Sequence, residues 1–386
     1  MHKYFYLIRA VARRILDAMS FYGYYVFGAG RSGAPKQVTI ELTYGCNCRC
    51  QMCPLYGIHT SGGEQALRLS RENTELTLDE YKKLFSDFKI NKIKTVNLTG
   101  GEIFLRPDVL DIIKAARDNA LNIHFTSNGA LITPEIARRL VELGVHSATF
   151  SLDAAGDIHD LIRGAKVYEP LMKAVSYISE EKIRQSKTRP AISFACAVST
   201  INQDNFSELV KISKEKNISL HISPVFFSSP EKISSLKAAF AGENFIKPEN
   251  HVLDKSISGV DADIFYKETA RALELSRRLK QPVSVEFKKK GDIYKWFNRP
   301  DFFFVNKCFY PWYTARLDPY GNVYPCSISV KMGNIRQTPF MDIWNGQKYT
   351  GFRKKLKKVK VFNFCSRCCS LYPRNRLWSY LPKIGF

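Results

Sequence analysis

Cys46-Asn-Cys-Arg-Cys50-Gln-Met-Cys53 packs four cysteines into eight residues, three of them spaced C-x3-C-x2-C. It follows Gln37-Val-Thr-Ile-Glu-Leu-Thr-Tyr44, a strand-like run that Gly45 breaks. A strand that ends in a loop of thiols aims its ligands beyond one end of a sheet. Soft thiolates at this density select an iron–sulfur cluster or zinc. With Cys46, Cys50 and Cys53 as ligands, one iron of a four-iron cluster has no protein partner and is open to another ligand. With Cys48 included, four thiolates would instead close a structural zinc site.

Downstream, strand and helix patterns alternate. Strands are expected at 37–44, 94–99, 122–126, 146–151, 190–198 and 218–223, with helices near 79–89, 107–120, 134–143, 169–187 and 205–216. Asp79 and Pro134 signal helix starts and Gly144 a stop. Such alternation predicts a parallel sheet with right-handed crossovers. Its six units are fewer than the eight of a closed barrel. In such sheets the site lies beyond the carboxyl ends of the strands. There the chain places Thr99-Gly-Gly-Glu102, Thr126-Ser-Asn-Gly129, Ser151-Leu-Asp153 and Arg163-Gly164. Paired glycines admit a close ligand, and Glu102 offers an acceptor to an ammonium. Asn128 and Asp153 equally suit turns. Cys196 reads as a buried structural thiol. His221, on the last strand, could move a substrate proton if it faces the lumen, or serve in packing. Residues 226–265 are less periodic and read as an insertion at the active-site end; a helix near 261–280 and a strand near 283–287 then lead out of the barrel.

A second cysteine set follows. Cys308 and Cys326 flank Asp318-Pro-Tyr-Gly-Asn322, a hairpin turn that brings them together. Cys365-Ser-Arg-Cys368 can supply two more ligands from one loop. Four thiolates make a complete site, suited to a cluster or equally to a zinc ribbon. Cys369 could replace Cys368.

The motifs together, across about residues 37–370, resemble the radical S-adenosylmethionine enzymes with a C-terminal SPASM/twitch extension. The resemblance implies a partial (β/α)6 TIM-like barrel with a small C-terminal α+β iron–sulfur domain. It implies a [4Fe–4S] cluster on Cys46, Cys50 and Cys53 whose open iron binds S-adenosylmethionine, which reductive cleavage turns into a 5'-deoxyadenosyl radical. It carries Met52 to a contact with adenine, Gly100, Gly101 and Glu102 to the methionine amino group, and Asn128, Ser151 and Arg163 to the rest of the cofactor. Gly333-Asn-Ile335 and Ile343-Trp-Asn345 match the extension, as does the Cys308–Cys326 spacing. This implies one auxiliary [4Fe–4S] cluster on Cys308, Cys326, Cys365 and Cys368, and a reductant such as flavodoxin or ferredoxin.

The expected division is 1–35, an amphipathic helical segment; 36–225, the barrel; 226–300, insertion and linker; 301–386, the auxiliary domain with a basic tail. Among 386 residues the formal charge is +22, which calls for an anionic partner. A helix over 3–27, with the aromatic run Phe21–Phe27, fits an anionic membrane interface or a helix that closes the barrel. Arg353–Lys360 and the tail Arg374–Lys383 interleave cations with aromatics, suiting a membrane, nucleic acid or plain solvent. No apolar run is long enough to span a bilayer. The absence of a signal peptide, and thiols clustered as for metal, place the chain in the cytoplasm, with peripheral association at the inner membrane face as the extension of that reading. The expected substrate is a small anionic, sugar-like or lipid-linked molecule. The alternatives are a peptide-modifying maturase, against which no leader-recognition domain is seen before the barrel, and a non-catalytic metal scaffold that binds nucleic acid.

Overall fold

The structure, a computed structural model, describes residues 19–53, 55, 74–243, 255–299, 301–328, 330–368 and 371. Its centre is a run of parallel strands: β1 (Gln37–Glu41), β2 (Thr95–Thr99), β3 (Asn122–Ser127), β4 (Ser147–Ser151), β5 (Ala191–Val198) and β6 (Ser219–Pro224). They lie in sequence order, each paired parallel with the next. The helices Leu78–Ile90, Val109–Asp118, Pro134–Glu142, Tyr168–Arg184 and Phe206–Glu215 fill the crossovers. These are the expected units. Thr77 and Glu80 form a capping box at the first helix, and Thr133 caps Pro134–Glu142. β1 ends at Glu41 rather than Tyr44. The backbone carbonyls of Thr43 and Gly45 are taken by Gly101 N and Glu102 N, outside the ladder.

Side chains alternate across a strand. One face of the sheet is apolar: Val38, Ile40, Val96, Leu98, Ile123, Phe125, Phe150, Phe194 and Ile222 are buried in the core that the helices cover. The other face is polar and half-buried, presenting Thr39, Asn97, Thr99, His124, Thr126, Thr149, Ser151, Ser193, His221 and Ser223. Register aligns these into rows. Thr126 stands opposite Thr149, Thr149 opposite Ser193, and Ala195 between Ser151 and His221. A parallel sheet packed on both faces reads as continuous apolar runs. This one has one packed face and one polar trough.

The expectation that the chain leaves the barrel after 261 is corrected. The helix Ala262–Leu279 packs on Phe206–Glu215, with Phe265 against Phe206, and β7 (Val283–Val285) pairs parallel with β6. This stretch continues the wall. At the other edge β8 (Thr314–Leu317) pairs parallel with β1, then turns back through β9 (Asn322–Tyr324) to β10 (Gly333–Asn334). The C-terminal region thus shares the barrel's ten-stranded sheet. Gly321 takes the positive φ of the turn (+86°), and Asp318 accepts from Tyr320 N, Asn322 N, Asn322 Nδ2 and the Tyr324 hydroxyl. The helix Gln347–Val359 follows; its Arg353 is fully buried on Trp344 and Tyr349, 4.0 and 4.1 Å from the ring centres.

Within 226–265 the described part holds the helix Pro230–Ala239 and a short turn, Lys255–Ser258. The helical residues 19–27 dock Tyr25 on Phe309 and Trp312, at 4.7 and 5.1 Å. The rest of the helix expected over 3–27, Cys369 and the basic tail lie outside the described residues.

Candidate cluster and cofactor site

The loop 46–53 is pinned from two sides. Beyond β2, Gly101 N donates to Thr43 O and Glu102 N to Gly45 O, each at 2.8 Å. This approach is possible only without side chains. A Cβ at Gly101 would stand 2.0 Å from Gly45 O, and one at Gly100 would stand 2.3 Å from Thr43 O. The paired glycines therefore hold the root of the cysteine loop. On the other side Arg49 N donates to Arg163 O and Gln51 N to Ile162 O, at the end of the helix Gly156–Arg163. Gly164, at φ +61°, lies against Arg49, where a Cβ would stand 2.8 Å from the Arg49 carbonyl oxygen.

The thiols face a small apolar enclosure. Cys48, Cys50, Met52, Ala154, Ile162, Val167 and Ile257 form its buried part, with Cys46, Cys53 and Phe227 packed on it. The Cys48 thiol bonds to the Cys46 and Cys50 sulfurs. That bond, ahead of burial, pushes Cys48 up and is the first cause holding Cys46 below the usual thiol range. Cys50 falls to about 6, through Cys48 first and then the Arg163 cation, which together outweigh burial. Cys46 Sγ also accepts from Cys48 N and Cys53 Sγ from Leu55 N, both at 3.4 Å. The lowering at Cys46 and Cys50 suits cluster ligation, because only the thiolate ligates iron.

The remaining expected site residues are held firmly. Glu102 is buried and accepts from Ser127 Oγ (2.8 Å), Asn128 N (2.8 Å) and Phe104 N (3.2 Å). Burial raises its carboxyl against those bonds. It ties the end of β2 to the end of β3. Asn128 reaches Asn47 Oδ1 (2.7 Å) and Cys48 Sγ (3.3 Å) through Nδ2, and its Oδ1 accepts from Ala130 N. It is both a turn former and a brace for the loop. Arg163 is 2.7 Å from Asp153 and its Nη1 is 3.7 Å from Cys50 Sγ. Its cation therefore bridges β4 to the cysteine loop. Asp153, fully buried, also accepts from Ala197 N. Ser151 lies on the polar face at the same end. Cys196 is buried, bonded to Asp153 O and Asn202. His221 does face the trough, with Nδ1 2.6 Å from Ser284 Oγ and Nε2 3.7 Å from Glu286, beside β7.

Cys308, Cys326, Cys365 and Cys368 line one cavity. Phe226, Pro311, Ile328, Leu356, Phe362 and Phe364 complete a largely apolar wall. Burial pushes Cys308 up to about 12 and Cys326 to about 11, and lifts Cys365 well above the usual thiol range. Neutral thiols gathered in a dry cavity are what a bound metal centre would deprotonate. Among the described residues, no group of three or more His, Cys, Asp and Glu side chains stands ready as a metal cage. Ligation would close the thiols around the centre at each site.

The half-exposed polar row, the Asp153–Arg163 bridge and the Glu41–Arg316 ion pair across β1 and β8 escaped the motif reading. The row was signalled by polar residues at every second strand position. Glu41 and Arg316 are 275 residues apart, and Asp153 and Arg163 lie on opposite ends of a strand-to-helix connection, so neither pair carries a periodic signal.

Comparison with known proteins agrees with this geometry. The family model of the Radical SAM superfamily matches residues 40–211, and that of the SPASM iron–sulfur cluster-binding domain matches 308–369. An AdoMet-dependent heme synthase of Methanosarcina barkeri is 26% identical over 346 residues, 87% of this chain and 89% of its own length. Mycofactocin maturase MftC of Mycobacterium tuberculosis is 31% identical over 147 residues, 38% of this chain and 35% of its own. The crystal structure of Streptococcus suis SuiB bound to its precursor peptide SuiA shares the fold, with a TM-score of 0.62 and 14% identity over 89% of this chain and 74% of that one.

Proposed function

Since the chain belongs to the radical S-adenosylmethionine superfamily and carries a SPASM iron–sulfur domain, we propose that it abstracts hydrogen from a carbon of a small, hydroxyl-rich, anionic substrate bound in the polar trough. The net outcome is oxidation or bond formation. Membership brings a [4Fe–4S] cluster, S-adenosylmethionine and an auxiliary cluster as cofactors. Once bound, the first cluster would supply the reducing electron for cleavage of S-adenosylmethionine and so for hydrogen abstraction. In this reading Cys46, Cys50 and Cys53 hold that cluster. Met52 packs beside it, and Gly100, Gly101, Glu102 and Asn128 fix its loop. Arg163 sets the charge at Cys50, and Ser151 faces the cofactor from β4. Cys308, Cys326, Cys365 and Cys368 hold the auxiliary cluster in a dry wall suited to passing an electron. His221, oriented by Ser284 and Glu286, is the candidate to carry a substrate proton. A flavodoxin or ferredoxin is the proposed reductant.

The observation that carries the substrate class is the trough. Thr99, Thr126, Thr149, Ser151, Ser193 and Ser223 present hydroxyls from successive strands, a lining suited to a polyhydroxylated ligand. The heme synthase, which aligns over nearly the whole chain, is named for a small molecule, and this favours the same reading. The second reading is a peptide-modifying maturase, supported by MftC over about a third of that protein's length.

Anaerobically reconstituted, dithionite-reduced protein tests both. It is given S-adenosylmethionine with either a lipid and small-metabolite fraction or a peptide fraction. Stimulated release of 5'-deoxyadenosine is expected from the first fraction alone. Stimulation by peptides alone would transfer the proposal to the maturase reading. No cleavage under any condition would remove the catalytic assignment.

A further inference from the structure

We propose that the outer face of helical residues 19–27, with the lysines of the neighbouring helix Gln347–Val359, is a docking surface for an anionic lipid bilayer. Residues 18–30 carry no charge. The inner face of this helix is used: Phe21 and Tyr25 lie on Phe309, and Tyr25 also on Trp312. Its remaining large side chains are exposed. Met19 is 65% exposed, Tyr22 53%, Tyr24 40% and Phe27 84%. Four large apolar or aromatic side chains within nine residues are more than the scattered singles of an ordinary surface.

Charge is supplied from the next element. Lys357 Nζ donates to Val26 O (3.0 Å) and lies over the Tyr25 ring. Arg353 bonds Gly30 O (3.0 Å), and a Cβ at Gly30 would meet Lys354 at 3.2 Å. The two helices are thus clamped together. Lys354, Lys357, Lys358 and Lys360 are all exposed, and Val359 is 45% exposed among them. Aromatics that favour the headgroup level, bordered by ammonium groups, match the two attractions of a peripheral membrane surface: apolar insertion and coulombic binding of acidic lipid. Among the described residues no helix is long and apolar enough to cross the membrane, so contact here is to the surface. This inference does not depend on the substrate proposed above.

Flotation of the full chain with vesicles tests it, and does not require S-adenosylmethionine cleavage. Vesicles of phosphatidylcholine alone are compared with vesicles containing a quarter phosphatidylglycerol. The protein should float with the acidic vesicles, float little with the neutral ones, and be released by high salt. The pair Lys354→Gln and Lys358→Gln should weaken partitioning roughly thirty-fold, and Tyr22→Ser with Phe27→Asp should abolish it. Unchanged iron content and thermal midpoint check that each variant folds. No flotation of the wild-type protein, or flotation that ignores both variant pairs, overturns the proposal. So does a wild-type dimer that Phe27→Asp dissociates without any vesicle binding, or binding of single-stranded RNA, in place of vesicles, with the same variant sensitivity.

Discussion

Replacing Gly101 with alanine should displace the first cluster site and weaken its iron binding while leaving the fold standing. Gly101 does not take a positive φ, so alanine meets no backbone penalty there and the effect is purely steric. The added Cβ would lie 2.0 Å from Gly45 O, 2.7 Å from Gly45 C and 2.9 Å from Tyr44 O. Relief to even the tightest real contact requires a displacement of about 1 Å between the end of β2 and the residue before Cys46. Overpacking of this kind costs about 1–3 kcal/mol in stability. The bonds from Gly101 N to Thr43 O and from Glu102 N to Gly45 O lie directly in the path, at about 1 kcal/mol each. A misplacement of about 1 Å at a reacting centre can cost about a hundredfold in rate. Gly351→Ala is the control, because nothing lies within 4 Å of its added Cβ and it sits inside a helix, where alanine is favoured by up to about 1 kcal/mol. The assay is iron per chain and the initial rate of 5'-deoxyadenosine formation after anaerobic reconstitution, with thermal unfolding alongside. Gly101→Ala should fold, bind less iron and cleave S-adenosylmethionine about a hundredfold more slowly, while Gly351→Ala stays at wild type. Full iron and a rate within about twofold of the control would refute the glycine clamp.

Cys48→Ala should keep about eight irons per chain, whereas alanine at Cys46, Cys50 or Cys53 should leave about four; iron loss in Cys48→Ala would make it a ligand rather than a neighbour of the ligands. Asp153→Ala strips the largely buried Arg163 of the ion-pair partner it has among the described residues, so denaturant unfolding should show a loss of about 3–5 kcal/mol, and a loss under about 1 kcal/mol would mean Arg163 finds solvent. Arg336 joins the turn after β10 to the first helix, bonding both Glu80 oxygens and the Thr74 and Glu75 carbonyls. With the Arg336 hydrogen bond as its first cause, the Glu80 carboxyl drops from 4.5 to about 2. A depressed carboxylate stabilises above its unfolded value, so this contribution should be complete above pH 4.5 and vanish as pH falls toward 2. Glu80→Gln should flatten that acid limb and cost no more than about 1 kcal/mol at neutral pH, the site being largely exposed; an unchanged limb would remove the pair from acid stability.

The parallel strands and their crossover helices were legible because they obey local rules: alternating strand and helix patterns, start signals at Asp79 and Pro134, a stopping glycine at Gly144. The cysteine spacings were legible because one loop supplies several ligands. What Gly100 and Gly101 do was only half legible. Paired glycines announce close approach, but the partner proves to be the Thr43–Gly45 backbone, and sequence does not state which chain comes near. Arg163 illustrates the same limit. Its ion pair with the fully buried Asp153, ten residues earlier, follows no sequence period. Ion pairs and edge pairings are set by tertiary geometry, and no period in the sequence encodes them.

The β8–β9 hairpin carries that point furthest. Its turn was readable from Asp318-Pro-Tyr-Gly-Asn322, but its attachment to β1 was not, since parallel pairing between residues nearly 280 apart leaves no local trace. That attachment decides how the two thiol sites relate. At the tip, Tyr320 packs edge-on against Tyr44, 5.6 Å between centres, with Leu55 and Cys53 in the same cluster. At the base, Cys308 precedes β8 and Cys326 follows β9, so both leave the hairpin from the end opposite the turn. The six residues from Tyr320 to Cys326 reach at most about 20 Å when extended. Because β8 is hydrogen-bonded along β1, this spacer cannot swing. The relation of the two thiol sites is therefore set by the β1–β8 register, and a two-residue insertion at the turn, which leaves that register in place, should not change the iron content of the auxiliary site.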